Sequence, residues 1–162
     1  MGDIIKVGMA DLKVARNTDD VLITLGLGSC IGIALYDPVV KLGGLAHIML
    51  PDSTRIKNNT NIAKFADTGI DELIRLMVAS GANKARLVAK IAGGAKMFEV
   101  SSTTSIGNVG DNNAVASRER LKHHGIRLLA EDTGLNYGRT VELHCADGSY
   151  VIKAVGKPLK TI

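Results

Sequence analysis

The order of apolar patterns along the chain predicts an α+β fold with mixed, largely antiparallel sheets and two principal helices. Two observations carry this prediction. The first quarter holds consecutive strand-like runs with no helical spacing between them. A helix, a strand, a second helix and three further strands follow, so the strict β-α-β alternation of a doubly wound parallel sheet is missing. The 162 residues contain no internal repeat, linker or low-complexity tract, and they read as one domain over 1–162.

The strands come first. "KVGMADLKVA" (6–15), "VLITLGLG" (21–28) and "CIGIALYD" (30–37) mix alternating and continuous apolar runs. Asp37-Pro38 suits the first two positions of a turn. "LAHIML" (45–50) returns as a strand until Pro51 ends it, with Leu45, His47 and Met49 on one face and Ala46, Ile48 and Leu50 on the other. "DSTRIKNNTN" (52–61) is a polar loop in which Asn58 to Asn61 offer N-caps. Ile62, Phe65, Ala66, Ile70, Leu73, Ile74, Met77 and Val78 then recur at helical spacing until Gly81. "ARLVAKIAGGA" (85–95) reads as a buried strand entering a Gly-Gly turn. "NNAVASRERLKHHG" (112–125) reads as a helix with an Asn N-cap and Gly125 at its end. "IRLLAED", "TVELHCA" and "YVIKAVG" are the closing strands, the last two joined by a tight Asp147-Gly148 turn.

Composition excludes several function classes. Apolar residues at 46% and charged residues at 22% are ordinary for a soluble globular chain. Net charge is +4, but the basic residues are scattered and aromatics make up only 3%, which argues against nucleic-acid binding and leaves room for an acidic protein partner. The N-terminus does not read as a signal peptide, and no apolar stretch predicts insertion into a membrane. Cys30 and Cys145 make no disulfide framework, so a reducing cytoplasm is expected and Cys30 is free to act as a thiol.

"TLGLGSCIGIALYDPVVKLGGLAHIMLP" (24–51) places Cys30 and His47 in a glycine-rich apolar run. Glycine weakens a strand unless something approaches the backbone closely. A hairpin turning at Asp37-Pro38-Val39-Val40 pairs Tyr36 with Lys41 and Cys30 with His47, whose side chains then share a face; a bulge at Gly43-Gly44 shifts that register by one. A cysteine near pKa 8.5 is only a few per cent thiolate at neutral pH, and a neighbouring imidazole can take its proton. Thr24 can orient that imidazole through its hydroxyl or its carbonyl. Backbone N–H groups around Gly28 and Ser29 can hold an oxyanion, with Ser29 itself a turn residue. Against this stands the ordinary use of free cysteine as a packing residue.

Other candidates are poorer. "GLGSCIG" has its third glycine one place late for a dinucleotide loop. His144 and Cys145 should point to opposite faces of a strand. His123-His124 sit where a cation complements a helix dipole. "AEDTG" (130–134) offers carboxylates of the kind usually solvated, and no ligand spacing suggests zinc.

"TLGLGSCIGIALYDP", "GGLAHIMLP", "KIAGGAKMF" and "GIRLLAEDTGLNYGR" together resemble the CheD family of bacterial chemoreceptor glutamine deamidases, over most of the chain from about Val7 to Val155. "SIGNVGDNN" (105–113) departs from that family's usual "IG-x-RN" run. The resemblance implies two packed mixed β-sheets flanked by helices, a toxin-deamidase-like cysteine hydrolase fold. It implies Cys30 as nucleophile, His47 as general base and Thr24 as orienting group. Selected glutamines of methyl-accepting chemoreceptors would be hydrolysed to glutamate through a thioester, with no metal or organic cofactor. It further implies binding to CheC, a phosphatase of the response regulator CheY, with Phe98, one of two phenylalanines, as a candidate anchor or else a core residue. A monomer or a heterocomplex with these partners is expected. The alternative is a mainly non-catalytic regulatory module that binds CheC and receptors.

Overall fold

A computed structural model describes residues 2–97 and 108–162, so Phe98 and residues 105–107 of the 105–113 segment lie outside the described residues. Among the described residues, ten strands form two five-stranded mixed sheets. The first sheet contains β1 (Ile4–Lys6), β3 (Val21–Leu27), β8 (Arg139–His144), β9 (Ser149–Lys153) and β10 (Lys160–Thr161), in that order. The second runs β2 (Asp11–Val14), β5 (Leu42–Ile48), β4 (Ile31–Asp37), β6 (Val88–Gly93) and β7 (Arg127–Thr133). Only β1–β3 and β6–β7 pair in parallel; the other neighbours are antiparallel. Helices α1 (Ala66–Ala79) and α2 (Val109–His123) pack on the second sheet. Two packed mixed sheets flanked by helices is therefore the architecture.

This layering explains the continuous burial of β4, all seven of whose residues are buried. Ile31, Ile33 and Leu35 face α1 and α2, together with Ala46, Ile48, Ile70, Leu73, Met77 and Leu121. Ala34 faces the first sheet, in a layer with Leu45, Leu22, Leu27, Val141, Leu143 and Tyr150. A strand covered on both faces loses the alternation that a half-exposed one shows. Two glycines set how closely the layers approach. A Cβ on Gly32 would stand 2.7 Å from the Tyr150 hydroxyl, and one on Gly44 would stand 2.9 Å from both Leu73 and Met77 of α1.

Several sequence expectations are corrected. The β4–β5 ladder pairs Asp37 with Leu42 and Gly32 with His47, so Cys30 does not lie directly opposite His47, and Gly43-Gly44 form no bulge. Asp37 stays in its strand because Arg86 and the Asn83 N–H hold its carboxylate, which moves the turn out to residues 38–41 and puts Lys41 at φ +55°. "KVGMADLKVA" is not one strand: the chain leaves the first sheet after Lys6, bends at Ala10 (φ +54°) and enters the second at Asp11. The first helix begins at Ala66, because Phe65 is extended and bridges to Leu50, while Asn61 caps a separate 3-10 turn over Ile62–Lys64. The second begins at Val109, ahead of the expected asparagines. The loop between β8 and β9 spans residues 145–148 rather than two residues.

Candidate active site

Because the ladder slips by two residues and not by one, Cys30 and His47 remain on the same face. Cys30 lies one residue before β4, diagonal to His47, and diagonal partners are still within reach of long side chains. Cys30 belongs to the layer between the sheets, and Leu45 places the His47 face of β5 in that same layer. His47 and Thr24 are fully buried, and Cys30 nearly so.

Thr24 comes from β3 of the opposing sheet. Its Oγ1 lies 2.7 Å from the Val7 carbonyl oxygen and 2.7 Å from His47 Nδ1. A carbonyl can only accept, so the single hydroxyl proton goes to Val7, and Thr24 Oγ1 must accept from Nδ1–H. That assigns the neutral tautomer: the lone pair sits on Nε2, which is buried and has no hydrogen-bond partner. The hydroxyl rather than the carbonyl of Thr24 thus contacts the ring. Its position depends on the β1–β2 crossover, where Val7 N–H donates to Ile23 O at 2.8 Å before its own carbonyl accepts from Thr24.

The segment entering Cys30 is shaped by a bulge. The β3–β8 register shifts between Thr24 and Leu27, with Gly26 at φ +71°, a region open to glycine at little cost. Ala95 N–H then donates to Gly28 O at 2.8 Å, and Gly94 N–H to Cys30 O at 2.9 Å. Asn113 of α2 donates to Ser29 O. Gly28 and Ser29 are half-buried, and Met97 stands over Gly28, whose Cβ would be 3.2 Å from its Cγ. Leu25, Met97 and Leu135 leave apolar surface exposed at this rim.

Burial controls the electrostatics. It pushes the Cys30 thiol above its ordinary range, with the residue's own backbone N–H drawing it partly back. It pushes the His47 imidazole down. Both shifts favour a neutral thiol and a neutral imidazole over a standing ion pair, and Cys30 Sγ makes no hydrogen bond to Nε2 in this state. Such a pair can act by moving the proton to Nε2 while sulfur attacks.

The remaining candidates are occupied elsewhere. Cys145 is fully buried in the inter-sheet core near Gly43, and burial pushes its thiol up to about 11. His144 is on the other, half-exposed face of β8, 3.2 Å from Glu142. His124 at the end of α2 lies 2.6 Å from Asp71, and His123 packs edge-on against it. Glu131 pairs with Arg118, and Asp132 with Arg139 and Lys160. Among the described residues no His, Cys, Asp and Glu side chains cluster as metal ligands, and no helix is long and apolar enough to cross a membrane. Asn113 was missed by sequence reasoning. Its only signal was its place in an Asn-Asn pair taken for an N-cap.

Residues 49–154 match the family model described as CheD chemotactic sensory transduction. That segment begins past His47; full-length relatives carry the likeness across residues 24–47. The chain is 57% identical over 162 residues, all of both chains, to the "Probable chemoreceptor glutamine deamidase CheD" of Lachnoclostridium phytofermentans. It is 52% identical over 159 residues, 98% of each chain, to the protein of the same name from Caldanaerobacter subterraneus subsp. tengcongensis. Among solved structures, a Neisseria meningitidis protein of the DUF152 family model aligns at TM-score 0.53 and 11% identity, over 82% of this chain and 64% of that one. Bacillus licheniformis hypothetical protein YfiH aligns at TM-score 0.50 and 18% identity, over 78% and 51%. These two share the fold and span more than this chain does. With a family model over most of its length and relatives matched end to end, the chain belongs to the CheD family.

Proposed function

We propose that this chain hydrolyses the side-chain amides of selected glutamines in methyl-accepting chemoreceptors to glutamate, releasing ammonia, with Cys30, His47 and Thr24 as its machinery. The family and the names of its close relatives support the activity. One observation supports the assignment of residues: the Thr24 hydroxyl accepts from His47 Nδ1–H and leaves the basic Nε2 free on the face that Cys30 shares.

Nε2 takes the thiol proton as Cys30 sulfur attacks the amide carbon, and the backbone N–H groups of Ser29 and Cys30 stabilise the oxyanion, that of Gly28 being used by Gly26 O at 3.1 Å. The imidazolium, still held by Thr24, returns that proton to the departing nitrogen, and ammonia leaves a thioester on Cys30. Water gives a proton to Nε2 and attacks the thioester carbon. Collapse expels the thiolate, which regains its proton from His47, and glutamate is freed. The reaction runs in the cytoplasm, on receptor helices outside the membrane. Binding of CheC through a surface that includes Phe98 belongs to the same proposal, with the deamidase limited by how much of it CheC sequesters.

The test is mass spectrometry of a cognate receptor fragment incubated with the protein. Conversion of glutamine to glutamate, lost in a folded Cys30→Ala variant and retained in Cys145→Ala, supports the reading. Wild-type turnover by Cys30→Ala would sink the assignment of residues, and no turnover by the folded wild-type chain would leave the regulatory module as the better account.

A further inference from the structure

Asn113 lies in the second turn of α2 and is fully buried. Its amide nitrogen donates to two carbonyls at 2.9 Å, those of Ser29 and Met49. The first belongs to the residue before Cys30, and the second to the residue two beyond His47. Carbonyl oxygens only accept, so the NH₂ end of the amide must face them. The other end, Oδ1, is buried without a hydrogen-bond partner. Packing alone does not favour this, because an apolar side chain of similar volume would bury no orphaned oxygen.

What the two bonds join is informative. The β4–β5 ladder ends at Ile31↔Ile48, so Ser29, Cys30 and Met49 all lie beyond its last pair. Gly94 and Ala95 hold the Cys30 segment from the β6 side, and Lys64 O accepts from Met49 N–H. Among the described residues, the hydrogen bonds that tie the Cys30 segment to the end of β5 past that last pair run through Asn113. The start of α2 is itself seated hard: a Cβ on Gly110 would stand 2.5 Å from Ala95 O. Ser117 Oγ donates to the Asn113 carbonyl one turn later.

We propose that Asn113 is a positioning residue, whose two bonds clamp the segment carrying Cys30 to the strand carrying His47 and fix the thiol on the face that Nε2 occupies. This rests on the reading of Cys30 and His47 as nucleophile and base, and not on which substrate they act upon. A misplacement of about 1 Å can cost about 100-fold in rate.

The experiment uses the full chain in a Cys145→Ala background, so that Cys30 is its only thiol. Asn113→Asp keeps the shape and removes both donors. Its kcat on a receptor fragment should fall by about 10- to 100-fold with KM changed by less than about twofold. Alkylation of Cys30 by iodoacetamide across neutral pH should lose the component that His47→Ala also removes. A role in stability alone would lower the melting temperature and leave the pH profile and kcat of the folded protein unchanged; that result overturns the proposal. Should Asn113→Asp not fold, Asn113→Ser takes its place under the same criteria, and its one remaining donor should restore part of the rate. Alkylation needs no turnover, so a wild-type chain that leaves receptors intact, yet shows an Asn113-dependent profile, refutes the deamidase reading and supports the clamp.

Discussion

Replacing Thr24 by valine keeps the shape of the side chain and deletes one hydroxyl. Two buried groups then lose their partner at once, His47 Nδ1–H and the Val7 carbonyl, each now 2.7 Å from Thr24 Oγ1. Leaving a buried polar group unpaired costs about 1–3 kcal/mol, so the fold should lose roughly 2–6 kcal/mol if neither group finds a substitute. The effect on rate has a different origin. With no acceptor at Nδ1, the neutral ring gains nothing from keeping its proton there, and a proton on Nε2 removes the base. Losing an oriented base costs on the order of 10²- to 10⁴-fold, so Thr24→Val should retain about 1% of wild-type kcat or less. Thr24→Ser keeps the oxygen and should stay within about tenfold of wild type. The assay is ammonia release from a receptor fragment, at a temperature where circular dichroism shows each variant folded. A folded Thr24→Val enzyme with wild-type kcat would refute the tautomer argument and return Thr24 to a packing role.

The pH dependence follows from burial. His47 must be neutral to accept a proton and its pKa is pushed below the ordinary 6.5, so kcat/KM should hold as pH falls past 6.5 and drop only below the depressed value; an acid limb above 6.5 contradicts this. The same group stays neutral in the fold while the unfolded chain protonates, so stability is full above about 6.5 and declines as pH falls from there toward the folded pKa, readable in urea titrations. Arg86 and two backbone N–H groups hold the Asp37 carboxylate at about 2, worth about 2 kcal/mol above pH 4 and lost as pH falls toward 2; Asp37→Asn should flatten the acid end of the stability curve. Gly44→Ala drives a methyl to 2.9 Å from Leu73 and Met77 and should cost about 1–3 kcal/mol in thermal melts, with no loss expected at a site of open space such as Gly8. Free glutamine should show a kcat/KM far below that of a receptor fragment, because contacts remote from the amide supply transition-state binding; equal values would mean a general glutaminase.

The inward face of β5 was legible because alternation survives any even slip of register: His47 and Cys30 stay on one side whether they are paired directly or diagonally. The register itself was not legible. It turns on Asp37, whose partners Asn83 and Arg86 lie 46 and 49 residues away, and no local pattern announces a strand end held by such distant groups. The β1–β2 crossover was hidden for a similar reason. Val7 through Ala10 carry no Pro or Asn to mark the bend, only Gly8, and the positive φ falls on Ala10. Phe65 looked helical because its spacing fits, and the Leu50 bridge that extends it is tertiary. Asn113 was the largest omission, since an asparagine near a helix start is ordinarily a cap and its real bonds reach loops 64 and 84 residues away.

The contact between Thr24 and His47 crosses the seam between the sheets, and this ties reactivity to assembly. Each sheet can be fully hydrogen-bonded along its own strands while the imidazole still lacks its orienting oxygen. The basic nitrogen is defined only when the two halves of the sandwich dock at the depth that Gly32 and Tyr150 permit. A nascent or partly opened chain therefore carries a thiol that no oriented base serves, whatever its own exposure. The His47-dependent part of Cys30 alkylation reports closure of the seam directly, where circular dichroism would register two intact sheets and miss their separation.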